Sequence, residues 1–431
     1  MRKLIISIII SIIAVSSSII RADETTSLIR SHNLRIEFDA ITHKMKVVDK
    51  VVLSEDWDDN VAYIAKVEPL FEVSDVYTSD GKKIDYTYQD GKLEIPHLAG
   101  ARSFIIEYFG ILNMDIKRGT FARVADSFYL LKFLDWIFTP EGMQAEKAVM
   151  EYHIPKELDI ITEGQKISET VIGDKKISTW EVDGCESWLY YMIGKWHKTT
   201  KKLDYVEIRV WLTSDKPELA AQLVDRIEGI IHLYSQIYTP YPHITFNYLE
   251  FPNDYAAWNG FGNLVFMTES ATFNIVNNIK IVAHEIAHNW WPNYIYLKPD
   301  QRLHIDAEAF CNFSAFLAQE FLLGSVDKQG HAKYIVALMA YPEKDDHKGL
   351  LLLHHLRLIY GDQMFFPWLK EFSEKYKRKR TSIDHLLAMA PTKEKFDLNE
   401  FLINWQQVKV IPTFKLQYKI KKIEPSDRYE L

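Results

Sequence analysis

The stretch "AHEIAHNWWPN", residues 283–293, sets two histidines four apart with a glutamate directly after the first. On a helix, His284 and His288 share one face a turn apart, so both imidazoles reach one ion at ~2.0–2.1 Å. Glu285 points about 100° round the same helix, towards a water on that ion. The ion lowers the pKa of the water towards ~7, and the glutamate takes its proton as it attacks a carbonyl. No proline interrupts the run before Pro292, which favours a helix. With 15 histidines in the chain, a chance match arises on the order of one time in a hundred. The pattern therefore favours a metal site over its plainer alternative, two histidines packed in a core or exposed on a surface.

Zinc in catalytic sites takes three protein ligands and keeps a fourth place for water. Downstream, "LHIDAEAFCNFSAFLAQEFLLG" (303–324) reads as a second helix, with Asp306 near its start and Gly324 near its end. Glu308 sits one turn in and is the candidate third ligand, although the helix dipole alone also explains an acidic first turn. Asn312, a turn further on, is a candidate hydrogen-bond partner for a ligand histidine; the plainer reading is an exposed polar residue. Glu320, near the far end, reads as solvated. The two cysteines, Cys185 and Cys311, lack metal-site spacing and read as buried thiols, although Cys311 lies close to this constellation.

Around that centre the chain changes character once. Residues 33–108 alternate in the manner of strands, as in "NLRIEFDA" and "KMKVVDKVVL", with turn signals such as "SDGKK" between them. The pattern continues to about residue 198. After "VEIRVWLTS", the segment "KPELAAQLVDRIEGIIHLYSQIY" spaces its apolar residues for an amphipathic helix. Strand-like "ITFNYLEF" and "NLVFMTES" follow, and from about 271 the pattern is mainly helical, with "TFKLQYKI" beyond Pro412 again strand-like. The expected division is a leader over 1–22, an N-terminal β domain over 23–198, a catalytic domain over 199–410 and a C-terminal strand or tail over 411–431. At 431 residues the chain exceeds the usual size of one core, and 47% hydrophobic residues suffice to fill two.

The leader begins with Arg2 and Lys3, runs through mostly apolar Leu4 to Ile20, and ends at a plausible cleavage site, Ile20-Arg21-Ala22. It reads as a secretory signal, with an uncleaved membrane anchor as the alternative. The expected location is secreted or periplasmic, with membrane contact only if the leader is retained. Removing its three positive charges takes the formal net charge from −8 to −11. A mildly acidic chain has no general attraction for nucleic acid. The basic run "KYKRKR" (375–380) reads as a solvated helix end.

"HEIAHNWWPN" resembles the HExxH-x-W-[FW]-x-N block of the zinc aminopeptidase family that includes aminopeptidase N and the leukotriene hydrolase. "EAFCNF" is similar to that family's E-G-F-A-x-Y helix, and looser likeness runs through "LRIEFDAITHKMKVVDKVVL", "YHIPKELDIITEG", "KGLLLLHHLRLIYG" and "FLINWQQVKVIPTF". The resemblance covers roughly residues 30–420. It implies an α+β multidomain fold, an N-terminal antiparallel β saddle or sandwich followed by a thermolysin-like, mainly helical domain. It implies one zinc ion held by His284, His288 and Glu308, with Glu285 as general base and a peptide or protein as substrate. Few residues follow Pro412, so the family's large C-terminal helical domain is expected to be missing.

Three departures accompany the likeness. The spacing from His288 to Glu308 is one residue longer than the family's usual one. The family's G-x-M-E-N glutamate, which grips the substrate's free amine, falls on Gly260 in "AAWNGFGNLVFM", with Asp254 the nearest acidic substitute. Phe261 and Trp258 are candidate lining residues of the specificity pocket, or else core. The family's oxyanion-steadying tyrosine falls on Asp346 in "DDHKG", leaving His347 or Tyr341 to stand in. The expected activity is therefore that of an exported zinc metallopeptidase, aminopeptidase-like with altered recognition of the N-terminus. The alternative is a zinc-holding but inactive protein that binds peptides or a partner.

Overall fold

The computed structural model describes residues 28–98, 100–113, 129–131, 135–185, 189, 191–251, 259–275, 279–324 and 345–407. The expectations attached to the leader, Asp254, Trp258, Tyr341 and the tail from 411 lie outside the described residues.

The alternating N-terminal segments form strands whose apolar members face inward. β1 (Ile29–Asp39) buries Leu34, Ile36 and Phe38, and β2 (Lys44–Leu53) buries Met45, Val47 and Val51. A small sheet is built from β3 (Tyr63–Lys66), β5 (Thr87–Gln89) and β6 (Lys92–Ile95), with β4 (Phe71–Thr78) between them in sequence. β7 (Ser103–Ile111), β9 (Ala145–Pro155), β11 (Gln165–Ile172) and β12 (Lys175–Cys185) complete a seven-stranded sheet in the order β11-β12-β9-β1-β2-β7-β4. A third sheet joins β8 (Tyr129–Leu131), β10 (Asp159–Thr162) and β13 (Tyr191–Gly194). The large sheet is antiparallel as expected except where β1 runs parallel to β9. No tight hairpin joins those two strands, so nothing obliges them to run in opposite directions.

One polar pair interrupts this interior. His32 Nδ1 and Asp49 Oδ2 meet at 2.7 Å with no exposure, and His32 Nε2 lies 3.2 Å from Thr139 Oγ1. A buried carboxylate needs such partners, because water no longer solvates it.

The second half has its own core. Buried residues from Ile29 to Ile193 pack as one cluster and those from Val206 to Trp405 as another. β14 (His197–Lys202), β15 (Glu207–Leu212), β16 (Thr245–Phe251), β17 (Asn259–Phe261) and β18 (Leu264–Thr268) form a mixed sheet in the order β14-β15-β16-β18-β17. β15, β16 and β18 are parallel, and the two outer strands are antiparallel to their neighbours. α1 (Pro217–Ile237) is the crossover between β15 and β16, with Pro217 in its first turn. Its stripe of Leu223, Ile227, Ile230, Ile231 and Tyr234 is buried. The near-continuous burial of β16 and β18 is what parallel strands covered on both faces require.

Helices then follow in series: α2 (Glu269–Ile275), α3 (Lys280–Ala287), α4 (Ala307–Leu323), α5 (Asp345–Tyr360), α6 (Asp362–Tyr376), α7 (Ile383–Ala388) and α8 (Leu398–Gln407). A two-residue parallel pair, β19 (Tyr296–Leu297) with β20 (Arg380–Thr381), ties the segment after α3 to the end of α6. The start of the basic run, Lys375, occupies the last turn of α6. No helix among the described residues is long and apolar enough to cross a membrane.

Glu320 corrects its sequence reading. It does not face solvent: both its oxygens bind the guanidinium of Arg357 on α5, at 2.5 and 3.0 Å. The same guanidinium binds both oxygens of Asp362 at 2.7 and 2.9 Å and lies against the rings of Phe321 and Phe366. Arg357 is only 4% exposed, and this clasp joins the far end of α4 to α5 and α6.

Candidate metal centre and active site

α3 is eight residues long, five of them Ile, Val or Ala around the site, and Pro292 limits any extension. His288 caps it, still in helical conformation, at φ −59° and ψ −20°. The chain then tightens: the amides of Trp290 and Trp291 both bond to the Ala287 carbonyl, at 2.9 and 3.0 Å. Trp290 and Trp291 are fully buried and pack with Tyr238, which fixes the exit from the helix.

α4 starts where the sequence placed it. The Asp306 side chain accepts from the Ala309 amide at 2.8 Å, and Gly324 closes the helix in the left-handed region at φ +60°. Between the two helices, Asp300 and Ile305 bond to each other through their backbones, with His304 in a left-handed conformation. With this small closed loop between the helices, Glu308 still reaches α3.

Glu308 meets both histidines. Its carboxylate lies 3.1 Å from His284 Nε2 and 3.6 Å from His288 Nε2. Donors at the corners of a tetrahedron, ~2.1 Å from a shared centre, stand roughly 3.4 Å apart. The two observed separations bracket that value, so the set of two imidazoles and one carboxylate fits zinc. Glu285 is also close, with His284, Glu285 and His288 offering ligand atoms within 4.8 Å of one another. Two carboxylates thus stand near the site, and the direct approach to both Nε2 atoms makes Glu308 the better third ligand. Glu285 is 7% exposed and lies beside it.

The electrostatics agree with close association. Burial opposes charge on His284, but its hydrogen bond to Glu308 and the carboxylates of Glu285 and Glu308 outweigh this and raise its pKa. Burial likewise pushes Glu308 up, and the His284 hydrogen bond with the charges of both rings brings it down to about 2. His288 Nδ1 lies 2.8 Å from the Trp291 carbonyl oxygen. A carbonyl only accepts, so Nδ1 carries the proton and a neutral ring keeps its Nε2 lone pair. Asn312, one turn after Glu308 on the same helix, adds to the upward shift of His284. Cys311 Sγ lies 3.3 Å from His288 Nδ1 and 3.4 Å from the Trp291 carbonyl, and burial holds its thiol pKa well above the usual range. The contact of Cys311 with a histidine was not read from the sequence. The signal was its place three residues after Glu308, on the same helical face.

The remaining candidates fall at the edges. Gly260 on β17 lies directly against α3. A Cβ there would overlap the Glu285 carbonyl, 2.9 Å from its carbon and 3.1 Å from His288 Cβ. Phe261 follows it on the same edge strand. Asp346 and His347 belong to the first turn of α5. That turn is brought to α4 by Gly349, where a Cβ would stand 2.7 Å from Ala309 Cβ, next to Glu308.

No family model matches the chain. A leucine aminopeptidase 2 from Aspergillus terreus is 26% identical over 180 residues, 35% of this chain and 29% of that protein. The leucine aminopeptidase 2 of Kluyveromyces lactis is 26% identical over 213 residues, 42% of this chain and 32% of its own length. The matched part therefore spans about a third or less of these curated relatives. Among solved structures, a mutant M1 zinc metallopeptidase from Deinococcus radiodurans superposes with a TM-score of 0.65 at 16% identity, over 91% of this chain and 96% of that one. A mutant two-domain M1 zinc metallopeptidase bound to L-arginine gives the same TM-score and the same coverage. A further structure of the Deinococcus radiodurans mutant, bound to a Tyr-Ser-Ala substrate, gives 0.64 at 15% identity.

Proposed function

As a homologue of the M1 zinc aminopeptidases with their two-domain fold, this protein, we propose, is a zinc-dependent peptidase whose metal is held by His284, His288 and Glu308. The observation that carries this reading is the convergence of both Nε2 atoms on Glu308, with Glu285 buried beside them. Zinc, when bound, polarises a carbonyl and acidifies water. Glu285 removes the proton from the attacking water and returns it to the departing amine, a task that needs a hydrogen-bond distance of ~2.6–3.2 Å to each. The Trp291 carbonyl keeps the His288 proton on Nδ1, so that ring faces the site as a base. Peptides are the substrate class; the relative crystallised with Tyr-Ser-Ala supports it.

Recognition of the substrate's N-terminus differs from the family's. The position of the amine-gripping glutamate is Gly260, and the Glu285 carbonyl fills the space its side chain would need. We also propose that residues 1–22 export the protein, on the strength of their basic start and apolar run.

The test incubates zinc-loaded protein and Glu285→Ala with a peptide pool, half of it N-acetylated, and reads products by mass spectrometry. Glu285→Ala is expected to keep zinc and lose most turnover. Stepwise loss from free N-termini alone would indicate an aminopeptidase with another anchor for the amine. Internal cuts indifferent to acetylation would indicate an endopeptidase. Zinc bound with no difference between the two proteins would sink the catalytic reading and leave a zinc-holding binding protein.

A further inference from the structure

Two residues of α4, Glu308 and Cys311, point at the same target. They stand at positions i and i+3, which share one helical face. Glu308 reaches the Nε2 atoms of both histidines. Cys311 holds one of these rings at its other nitrogen, its Sγ lying 3.3 Å from His288 Nδ1.

The contact of Cys311 is a three-atom arrangement. His288 Nδ1 donates to the Trp291 carbonyl oxygen at 2.8 Å, and Cys311 Sγ lies 3.4 Å from that same oxygen. A carbonyl oxygen has two lone pairs, so it takes the ring N–H on one and the thiol S–H on the other. The sulfur then closes the side of the imidazole that faces α4, and the ring cannot turn without breaking two contacts. Cys311 is fully buried, with no exposure to water that could replace either contact. The motif that this helix resembles has alanine at the position, which offers no polar atom.

We propose that Cys311 is a positioning residue of the metal centre: it fixes the His288 imidazole so that its Nε2 atom meets the Glu308 carboxylate. The proposal rests on the reading of His284, His288 and Glu308 as a zinc site. Residues that orient metal-binding histidines typically change metal affinity by ~10–100-fold when removed. Sulfur is a weak hydrogen-bonding atom, so the lower end is expected for Cys311.

The experiment uses the full chain and measures the zinc dissociation constant by competition with a chromophoric chelator. Cobalt(II) spectra serve as a second readout of ligand geometry. Cys311→Ala is expected to weaken zinc about 10-fold and to shift the cobalt bands. Cys311→Ser restores a donor of similar size and is expected to remain within about threefold of wild type, with unshifted bands. Melting of the metal-free proteins separates lost packing from lost positioning, because a packing defect lowers the melting temperature without moving the cobalt bands. If Cys311→Ala binds zinc as tightly as wild type and its cobalt spectrum is unchanged, Cys311 only fills space and the proposal is overturned. If wild type itself binds no zinc, the underlying site reading fails instead.

Discussion

Gly260→Ala is the substitution that probes the site through its backbone. The added methyl would overlap the Glu285 carbonyl, standing 2.9 Å from the carbonyl carbon and 3.1 Å from His288 Cβ. Carbon atoms rest ~3.5–4.0 Å apart, so β17 and α3 must separate by on the order of 1 Å. Overpacking of this kind costs about 1–3 kcal/mol, which lowers the melting temperature by roughly 2–4 °C per kcal/mol in a unit of this size. The greater effect falls on turnover. The clash is with Glu285 itself and with the histidine one turn on, and a ~1 Å misplacement of reacting groups can cost about 100-fold. Gly262→Ala is the matched control: its Cβ meets open space, and only the left-handed backbone, at φ +47°, penalises it, by about 1–2 kcal/mol. Both variants are melted and assayed on one peptide substrate. Gly260→Ala is expected to lose turnover about 100-fold while Gly262→Ala stays within about twofold. Equal turnover in the two would refute the idea that close approach to α3 is what position 260 provides.

Glu308→Gln keeps the shape of the side chain and removes its charge, so zinc affinity is expected to fall at least ~10-fold, measured by chelator competition. Chelation of the wild type should lower its melting temperature, since an ion bound only to the folded state stabilises it by mass action; an unchanged melt would argue against the site. Arg357→Met leaves the Glu320 carboxylate, 16% exposed, without its partner, and calorimetry is expected to show a loss of about 3–5 kcal/mol. His243 makes the fold sensitive to mild acid. Burial, with the charge of Arg378, lowers its pKa to about 4, against ~6.5 in the unfolded chain. The unfolded state therefore binds the proton first. Stability is full above pH ~6.5 and falls as pH drops towards 4, by up to about 3 kcal/mol. His243→Asn is expected to flatten that part of the denaturation profile.

Much of this architecture could be read directly from residue order. Apolar alternation in β1 and β2 and the stripe along α1 follow from burial on one face, so period alone located them. The candidate ligand set was legible because each member sits on a short-range rule: four apart for the histidines, and the first turn after an N-cap for Glu308. What escaped depends on contacts between distant segments. Glu320 looks like an exposed helix residue until Arg357, 37 positions later, is folded against it. Gly260 read as the loss of a charged side chain, whereas in the fold it marks a place where no side chain fits. Cys311 lacks metal-ligand spacing because it touches the far side of a ligand ring. The parallel pairing of β1 with β9 likewise joins strands that no local turn connects.

α4 is anchored to its neighbours at its far end by the Arg357 clasp at Glu320, and its near end is stiffened by the Asp306 cap. It behaves as a beam held at one end, with Glu308 carried near the stiffened other. The helix that carries the carboxylate is thus held by contacts that owe nothing to a metal. An ion bound there would have little helix to order, so little of its binding free energy would be diverted into shaping that element.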